Sequence, residues 1–159
     1  MRKDAGDVKG GVQRVELSSG HCLYYVDQTT LDRNVKERGY QDDPSLEQIT
    51  NSDRTFGIYE GGFKVWECAI DLCEYIDKVL EPQILRGKKI LEVVGCGAGL
   101  PSILAVQKGA KEVVLQDYND IVVSCFTRDN FAVNNVSLEN CRFYACNWAA
   151  LQQKTDGLK

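Results

Sequence analysis

The chain has 159 residues, enough for one domain with a real core, and its 43% hydrophobic and 26% charged residues are those of an ordinary soluble globular protein. A formal net charge of -4 with no basic run argues against direct nucleic-acid binding and leaves room for a basic protein or peptide partner. Seven cysteines occur without a Cys-x-x-Cys pair, and the single histidine, His21, has no cysteine pair to join, which argues against zinc.

Several cysteines lie in apolar periodic segments, where they read as small hydrophobes. Their number points to a reducing compartment, cytoplasm or nucleus. Met1-Arg2-Lys3-Asp4 leads into no apolar run, so no signal peptide is read there. No stretch reaches ~20 uninterrupted apolar residues, so no membrane span is expected.

Residues 1–11 read as a loose tail. Val12 to Val26 can form a hairpin: Val15 and Leu17 alternate with polar residues, Ser18-Ser19-Gly20 turns, and Cys22-Leu23-Tyr24-Tyr25-Val26 returns. Residues 27–55 are polar and poorly periodic, and they read as irregular chain with at most a short helical turn. After Gly61-Gly62, the residues Trp66, Ala69, Ile70, Cys73, Ile76 and Leu80 recur at helical spacing until Pro82. Ile90 to Val94 then reads as a buried parallel strand ending in glycines. Pro101 sits in the first turn of a helix that runs to Lys108 and stops at Gly109. Val113 to Asp117 is a second strand, Ile121 to about Val133 a helix, and Cys141 to Ala145 a third strand. Strand, helix, strand, helix, strand is the βαβαβ half of a doubly wound α/β sheet. The chain thus divides into an N-terminal extension, 1–55, and a domain over 56–159.

The chemistry concentrates at Gly95-Cys96-Gly97-Ala98-Gly99. A glycine run between strand and helix permits positive-φ turns and close approach of a ligand to the backbone. It lies at the carboxyl end of a strand, where open α/β sheets bind ligands. A dinucleotide loop would place its third glycine at position 100, which is Leu100, and this argues against a nucleotide-dependent oxidoreductase. The spacing Gly95-x-Gly97-x-Gly99 instead resembles motif I of class I methyltransferases.

Asp117 follows Gly95 by 22 residues, about where a ribose-binding carboxylate belongs, and it can equally be a turn or N-cap aspartate. Glu92 lies three residues before Gly95 rather than the two of the methyltransferase pattern. Either the strand bulges near Val93 or Glu92 points away from the site.

Three segments carry a closer resemblance: Tyr59-Glu60-Gly61-Gly62-Phe63-Lys64-Val65-Trp66-Glu67-Cys68, then Gln116-Asp117-Tyr118-Asn119, then Cys141-Arg142-Phe143-Tyr144-Ala145-Cys146-Asn147-Trp148. Over Phe56 to Leu151 the chain resembles the protein-histidine N-methyltransferase family, the methyltransferase-like 18 group. That resemblance implies a Rossmann-like class I fold, of which this chain is the N-terminal, cofactor-binding half, with 56–159 a partial methyltransferase domain. It implies S-adenosylmethionine as cofactor, and a histidine ring nitrogen of a protein such as a large-subunit ribosomal protein as acceptor.

The implied cofactor contacts are Val65, Trp66, Glu67, Cys68 and Ala69, the glycines Gly95, Gly97 and Gly99, the segment Gln116, Asp117 and Tyr118, and Asn147 with Trp148. Trp66 can also be a core anchor, Glu67 a surface carboxylate and Trp148 a core residue. No residue is assigned as catalytic, and His21 lies outside the matched region. The family fold continues beyond a third strand, so a chain ending at Lys159 is expected to leave one edge of the Ile90 strand open and to methylate poorly alone. A non-catalytic module that binds a partner protein and a protein-lysine methyltransferase are the alternatives. Oligomeric state is left open.

Overall fold

The structure, a computed structural model, describes residues 10–44, 46, 61–93 and 95–155. The N-terminal hairpin forms as expected. Strand β1 (Val12–Glu16) pairs antiparallel with β2 (Cys22–Val26), with Val12 opposite Val26 and Glu16 opposite Cys22. Leu17 N donates to His21 O at 2.8 Å across the turn, and Gly20 takes φ +89°, a conformation that favours glycine.

The reading of 27–55 as irregular needs correction at its start. Helix α1 spans Gln28–Glu37, capped by Asp27, whose side chain accepts from Thr30 N at 2.8 Å. The helix was hidden because its buried stripe is Leu31, Asn34 and Val35, so one of three inward positions is polar. Asn34 is satisfied by Asp129 at 2.7 Å, and Asp129 also pairs with Arg38 at 2.7 Å. Most of the rest of 27–55, and Tyr59-Glu60, fall outside the described residues.

Helix α2 (Glu67–Lys78) buries Cys73 and Ile76, spaced at a helical repeat. It ends before Pro82, which instead opens the short helix α3 (Pro82–Leu85). Strand β3 (Lys89–Glu92) leads to the glycine loop and helix α4 (Leu100–Gln107), buried from Leu100 to Ala105 and stopped by Gly109 at φ +98°. Helix α2 packs along α4, and Lys108 reaches Asp77 at 2.6 Å.

Strand β4 (Glu112–Asp117) is followed by helix α5 (Asp120–Val122), a π-helical segment (Val123–Thr127) and helix α6 (Arg128–Val133). The single helix expected over 121–133 is therefore interrupted by a π segment. Strand β5 (Cys141–Ala145) and helix α7 (Trp148–Thr155) close the described chain, with Asn147 accepting from Ala150 N at 2.8 Å as the cap of α7.

The three strands form a parallel sheet in the order β3-β4-β5, with Ile90 opposite Val113 and Val114 opposite Arg142. This is the α/β half-sheet that the alternation of elements predicts. The expectation that Ile90 to Val94 is a buried strand is corrected. The strand lies at the edge of the sheet among the described residues, Lys89 and Leu91 are exposed, and Val93 has left the ladder. The buried strand is β4, closed on all its residues from Val113 to Asp117.

Leu23, Leu31 and Val35 share one apolar cluster with Ile103, Leu115, Phe126 and Phe131. Strand β2 is also pinned by Asn130 of α6 and by Asn134, which follows the helix as its C-cap. Tyr24 N donates to Asn134 Oδ1 and Val26 N to Asn130 Oδ1, both at 2.9 Å, while Asn134 Nδ2 returns a bond to Tyr24 O at 2.6 Å.

Candidate functional site

The glycine loop folds where β3 ends. Gly95, Gly97 and Gly99 all take positive φ, so each position uses the freedom that only glycine has cheaply. The loop is stitched to the neighbouring strand: Cys96 N donates to Gln116 O at 2.8 Å, and Gly97 N donates to Asp117 Oδ2 at 2.9 Å. Gly99 serves packing, since a Cβ there would come within 3.1 Å of Thr127 and 3.3 Å of Leu115 and Phe131. The Gly61-Gly62 turn approaches the same loop. A Cβ on Gly62 would collide with Val122, and one on Gly61 with the Trp66 ring, each at 2.5 Å. Trp66 Nε1 donates to Gly61 O at 3.0 Å, and Lys64 Nζ stands 4.9 Å from its ring centroid.

Between the loop, α2 and the outer side of β3 lies a cavity of about 920 Å³ with a largely apolar lining. Of the sequence-predicted contacts, Trp66, Cys68, Ala69, Gly95 and Gly97 line it. So do Glu92 and Val93; Val94 lies outside the described residues. Ser102, from the first turn of α4, donates its hydroxyl to Glu92 Oε2. Desolvation pushes the Glu92 carboxyl up to about 7, against the lowering effect of the Ser102 bonds and with a small contribution from Asp117. A polar pair thus sits in a mostly apolar hollow, whose lining also includes Lys64 and Tyr75.

The remaining predicted contacts lie elsewhere. Gln116, Tyr118, Asn147 and Trp148 gather at the carboxyl ends of β4 and β5. Trp148 Nε1 donates to Gln116 Oε1 at 3.2 Å, and Gln116 Nε2 donates to Cys146 O at 2.6 Å. Trp148 is 65% exposed and Tyr118 is also exposed, so two aromatic faces stand free at the end of the sheet. Asp117 has no exposed surface; burial raises its carboxyl above the ordinary range, while N–H groups of Gly97, Asn119 and Tyr118 oppose the rise. Val65 packs against the core and Glu67 is exposed at the start of α2.

Sequence reading missed Ser102, which only the α4 geometry brings to Glu92, and it missed Thr127 and Asn130, which hold the loop from behind. Among the described residues no cluster of three or more metal-ligating side chains occurs, and no helix is long and apolar enough to cross a membrane.

Comparison with known proteins gives one consistent picture. The family model of ribosomal protein L11 methyltransferase (PrmA) matches residues 74–158. Curated relatives named histidine protein methyltransferase 1 homolog include that of Dictyostelium discoideum, 39% identical over 106 residues, or 66% of this chain and 33% of the relative. That of Bos taurus is 44% identical over 86 residues, or 54% and 22%. A Schizosaccharomyces pombe protein named protein N-terminal and lysine N-methyltransferase efm7 is 52% identical over 56 residues, or 35% and 21%.

The chain therefore spans only about a fifth to a third of the length of these relatives. Among solved structures, SMU.776, described as a methyltransferase complexed with SAH, gives a TM-score of 0.54 at 11% identity, over 96% of this chain and 30% of that one. A SAM-dependent methyltransferase from Streptococcus mutans gives 0.51 at 11% identity, over 96% and 31%. Likeness at that identity concerns the fold, and the fold is the Rossmann-like class I methyltransferase half-sheet that the sequence predicts.

Proposed function

The chain belongs to the ribosomal protein L11 methyltransferase (PrmA) family, and from that membership together with the relatives named histidine protein methyltransferase 1 homolog we propose that it binds S-adenosylmethionine in the β3 cavity and serves methylation of a histidine ring nitrogen in a protein. The observation that carries this reading is the cavity itself: an apolar hollow at the carboxyl end of a parallel strand, floored by a glycine loop and walled by Trp66. Its chemistry suits the cofactor. The Glu92 carboxylate is placed to accept an ammonium group, and a tryptophan ring face favours a cation such as a sulfonium. The curated names of the relatives support a protein acceptor and histidine within it.

When bound, S-adenosylmethionine supplies an activated methyl group on sulfur. The residues of the chain bind, orient and exclude water. Gly95 and Gly97 let the ligand approach the loop backbone, Trp66, Cys68 and Ala69 wall the methionyl side, and Val65 and Glu67 shape the approach to α2. The exposed pair Tyr118 and Trp148, with Gln116 and Asn147, offers a stacking and hydrogen-bonding platform for the adenosyl end. Asp117, at the end of β4, fixes Gly97, and Gly99 makes room for Thr127. Alignment and exclusion of water then carry the displacement. A large-subunit ribosomal protein is the acceptor class we put forward, and cytoplasm or nucleus the place.

Calorimetric titration with S-adenosylhomocysteine tests the reading, with binding at micromolar concentration expected. Absence of both heat and thermal shift would overturn it in favour of a partner-binding module. The efm7 relative favours one second reading, in which the acceptor is a lysine or an N-terminal amine. Incubation with labelled cofactor and ribosomal proteins, followed by amino-acid analysis of the label, separates methylhistidine from methyllysine.

A further inference from the structure

The glycine loop is held from behind by two side chains that line no part of the cavity. Thr127 and Asn130 are both fully buried and both polar, which demands a partner for each polar atom. The Thr127 hydroxyl lies 2.7 Å from Gly97 O and 3.2 Å from Val122 O; it has one proton, and Gly97 O is the nearer acceptor. Asn130 Nδ2 donates to Ala98 O at 3.0 Å, while its Oδ1 accepts from Val26 N at 2.9 Å. With Asp117 on Gly97 N, the residue Gly97 is gripped at both its backbone groups. The Thr127 methyl completes the seat: a Cβ at position 99 would press on it at 3.1 Å, and the φ of +68° there already favours glycine. Thr127 is also the last residue of the π segment, a kind of irregularity that recurs at functional sites.

We infer that Thr127 and Asn130 are positioning residues for the glycine loop, and that Asn130 ties the loop to the N-terminal hairpin. The inference rests on the loop being the cofactor site. The two carbonyls are turned away from the cavity by these donors, which leaves the opposite face of the loop backbone toward the hollow. Loosening them frees the loop without substituting any residue of the cavity wall. Through Val26, disorder in the hairpin reaches the same loop.

The test uses the full chain and three variants. Thr127→Val keeps the shape and deletes the hydroxyl, Thr127→Ser restores it, and Asn130→Asp keeps the acceptor for Val26 N while replacing the donor to Ala98 O. Two readouts are taken: S-adenosylhomocysteine affinity by calorimetry, and amide hydrogen exchange at Gly97, Ala98 and Gly99. Thr127→Val is expected to weaken affinity ~10-fold and to speed loop exchange by a similar factor, with exchange at Leu115 unchanged, because one buried carbonyl loses its partner. Thr127→Ser is expected to bring both readouts most of the way back. Asn130→Asp, where it folds, is expected to speed exchange at Ala98 and Gly99 while Val26 stays protected. Affinity within twofold of the parent and unchanged loop exchange in Thr127→Val would overturn the inference. If the parent chain binds no S-adenosylhomocysteine, the proposed function fails, and the exchange readout still decides whether these side chains hold the loop.

Discussion

Strands β3 and β4 are neighbours with the same grammar: a short apolar run that ends in a carboxylate at the ligand side of the sheet. Their environments differ sharply. β4 is flanked by both other strands and every residue from Val113 to Asp117 is buried, whereas β3 pairs on one edge among the described residues and leaves Leu91 58% exposed. The terminal carboxylates diverge in the same way. Asp117 is sealed inside and used by the protein on Gly97 N, while Glu92 faces the cavity with Ser102 for a partner. The strand that builds the core and the strand that builds the site are therefore different strands.

The largest test of this contrast is a pair of truncations. Leu115→Ala, at a position with no exposed surface among Ile103, Phe126 and Phe131, is expected to cost about 2–5 kcal/mol in urea denaturation. The corresponding change on the edge strand, Leu91→Ala, is expected to cost less than about 1 kcal/mol. Similar losses at both sites would mean that the two strands are equally buried in solution.

A second test uses pH. Desolvation pushes the folded Glu92 carboxyl from the ordinary 4.5 up to about 7. The unfolded chain thus loses this proton first, so the native state holds more protons between those values and stability falls as pH rises from about 4.5 to about 7. The loss is up to ~3 kcal/mol, levelling off above that window. Glu92→Gln is expected to remove this slope and to be the more stable protein at pH 8, as measured by denaturation across pH. For Asp117 the carboxyl is also raised by burial, so it adds a fall in the same direction at lower pH. A slope unchanged in Glu92→Gln would show that Glu92 is solvated.

The third contrast is between the two carboxylates as hydrogen-bond acceptors. Asp117→Asn is expected to cost about 1–3 kcal/mol, because the charge-assisted bond from Gly97 N is lost and an amide must fit among N–H donors. Accelerated amide exchange at Gly97 is the accompanying signature. A variant as stable as the parent, with a protected Gly97, would assign Asp117 to a ligand role alone.

The sequence made part of this legible. Glycine spacing, strand alternation and Pro101 located the loop, the hairpin and α4, because each depends on local backbone preference. The split between β3 and β4 was invisible, since burial of a strand depends on which strands lie beside it, and Ile90-Leu91 reads as core in any context. The three-residue gap from Glu92 to Gly95 left the direction of Glu92 undetermined; in the fold β3 ends at Glu92, Val93 is out of the ladder, and Glu92 lines the cavity. Helix α1 was missed because Asn34 breaks its apolar stripe, and its partner Asp129 lies 95 residues away. The same reason hid Thr127 and Asn130: polar residues facing inward have no periodic signature, and their partners are backbone atoms distant in sequence.

The smallest expected effect concerns the open edge itself. Leu91 stands exposed on a strand that, among the described residues, has one unpaired side, an arrangement that invites strand-to-strand association between molecules. Leu91→Lys adds a charge to that edge and is expected to change folding stability by no more than about 0.5 kcal/mol, since the side chain buries little. Its effect should appear instead in light scattering at rising concentration, where the parent associates and the variant stays dispersed. Lys89 already supplies one charge on this edge but is drawn toward Glu112 at 3.3 Å, which leaves Leu91 as the apolar contact to remove. A variant that associates as readily as the parent would show that the edge of β3 is covered in solution, and would make β3 the buried strand that its sequence suggests.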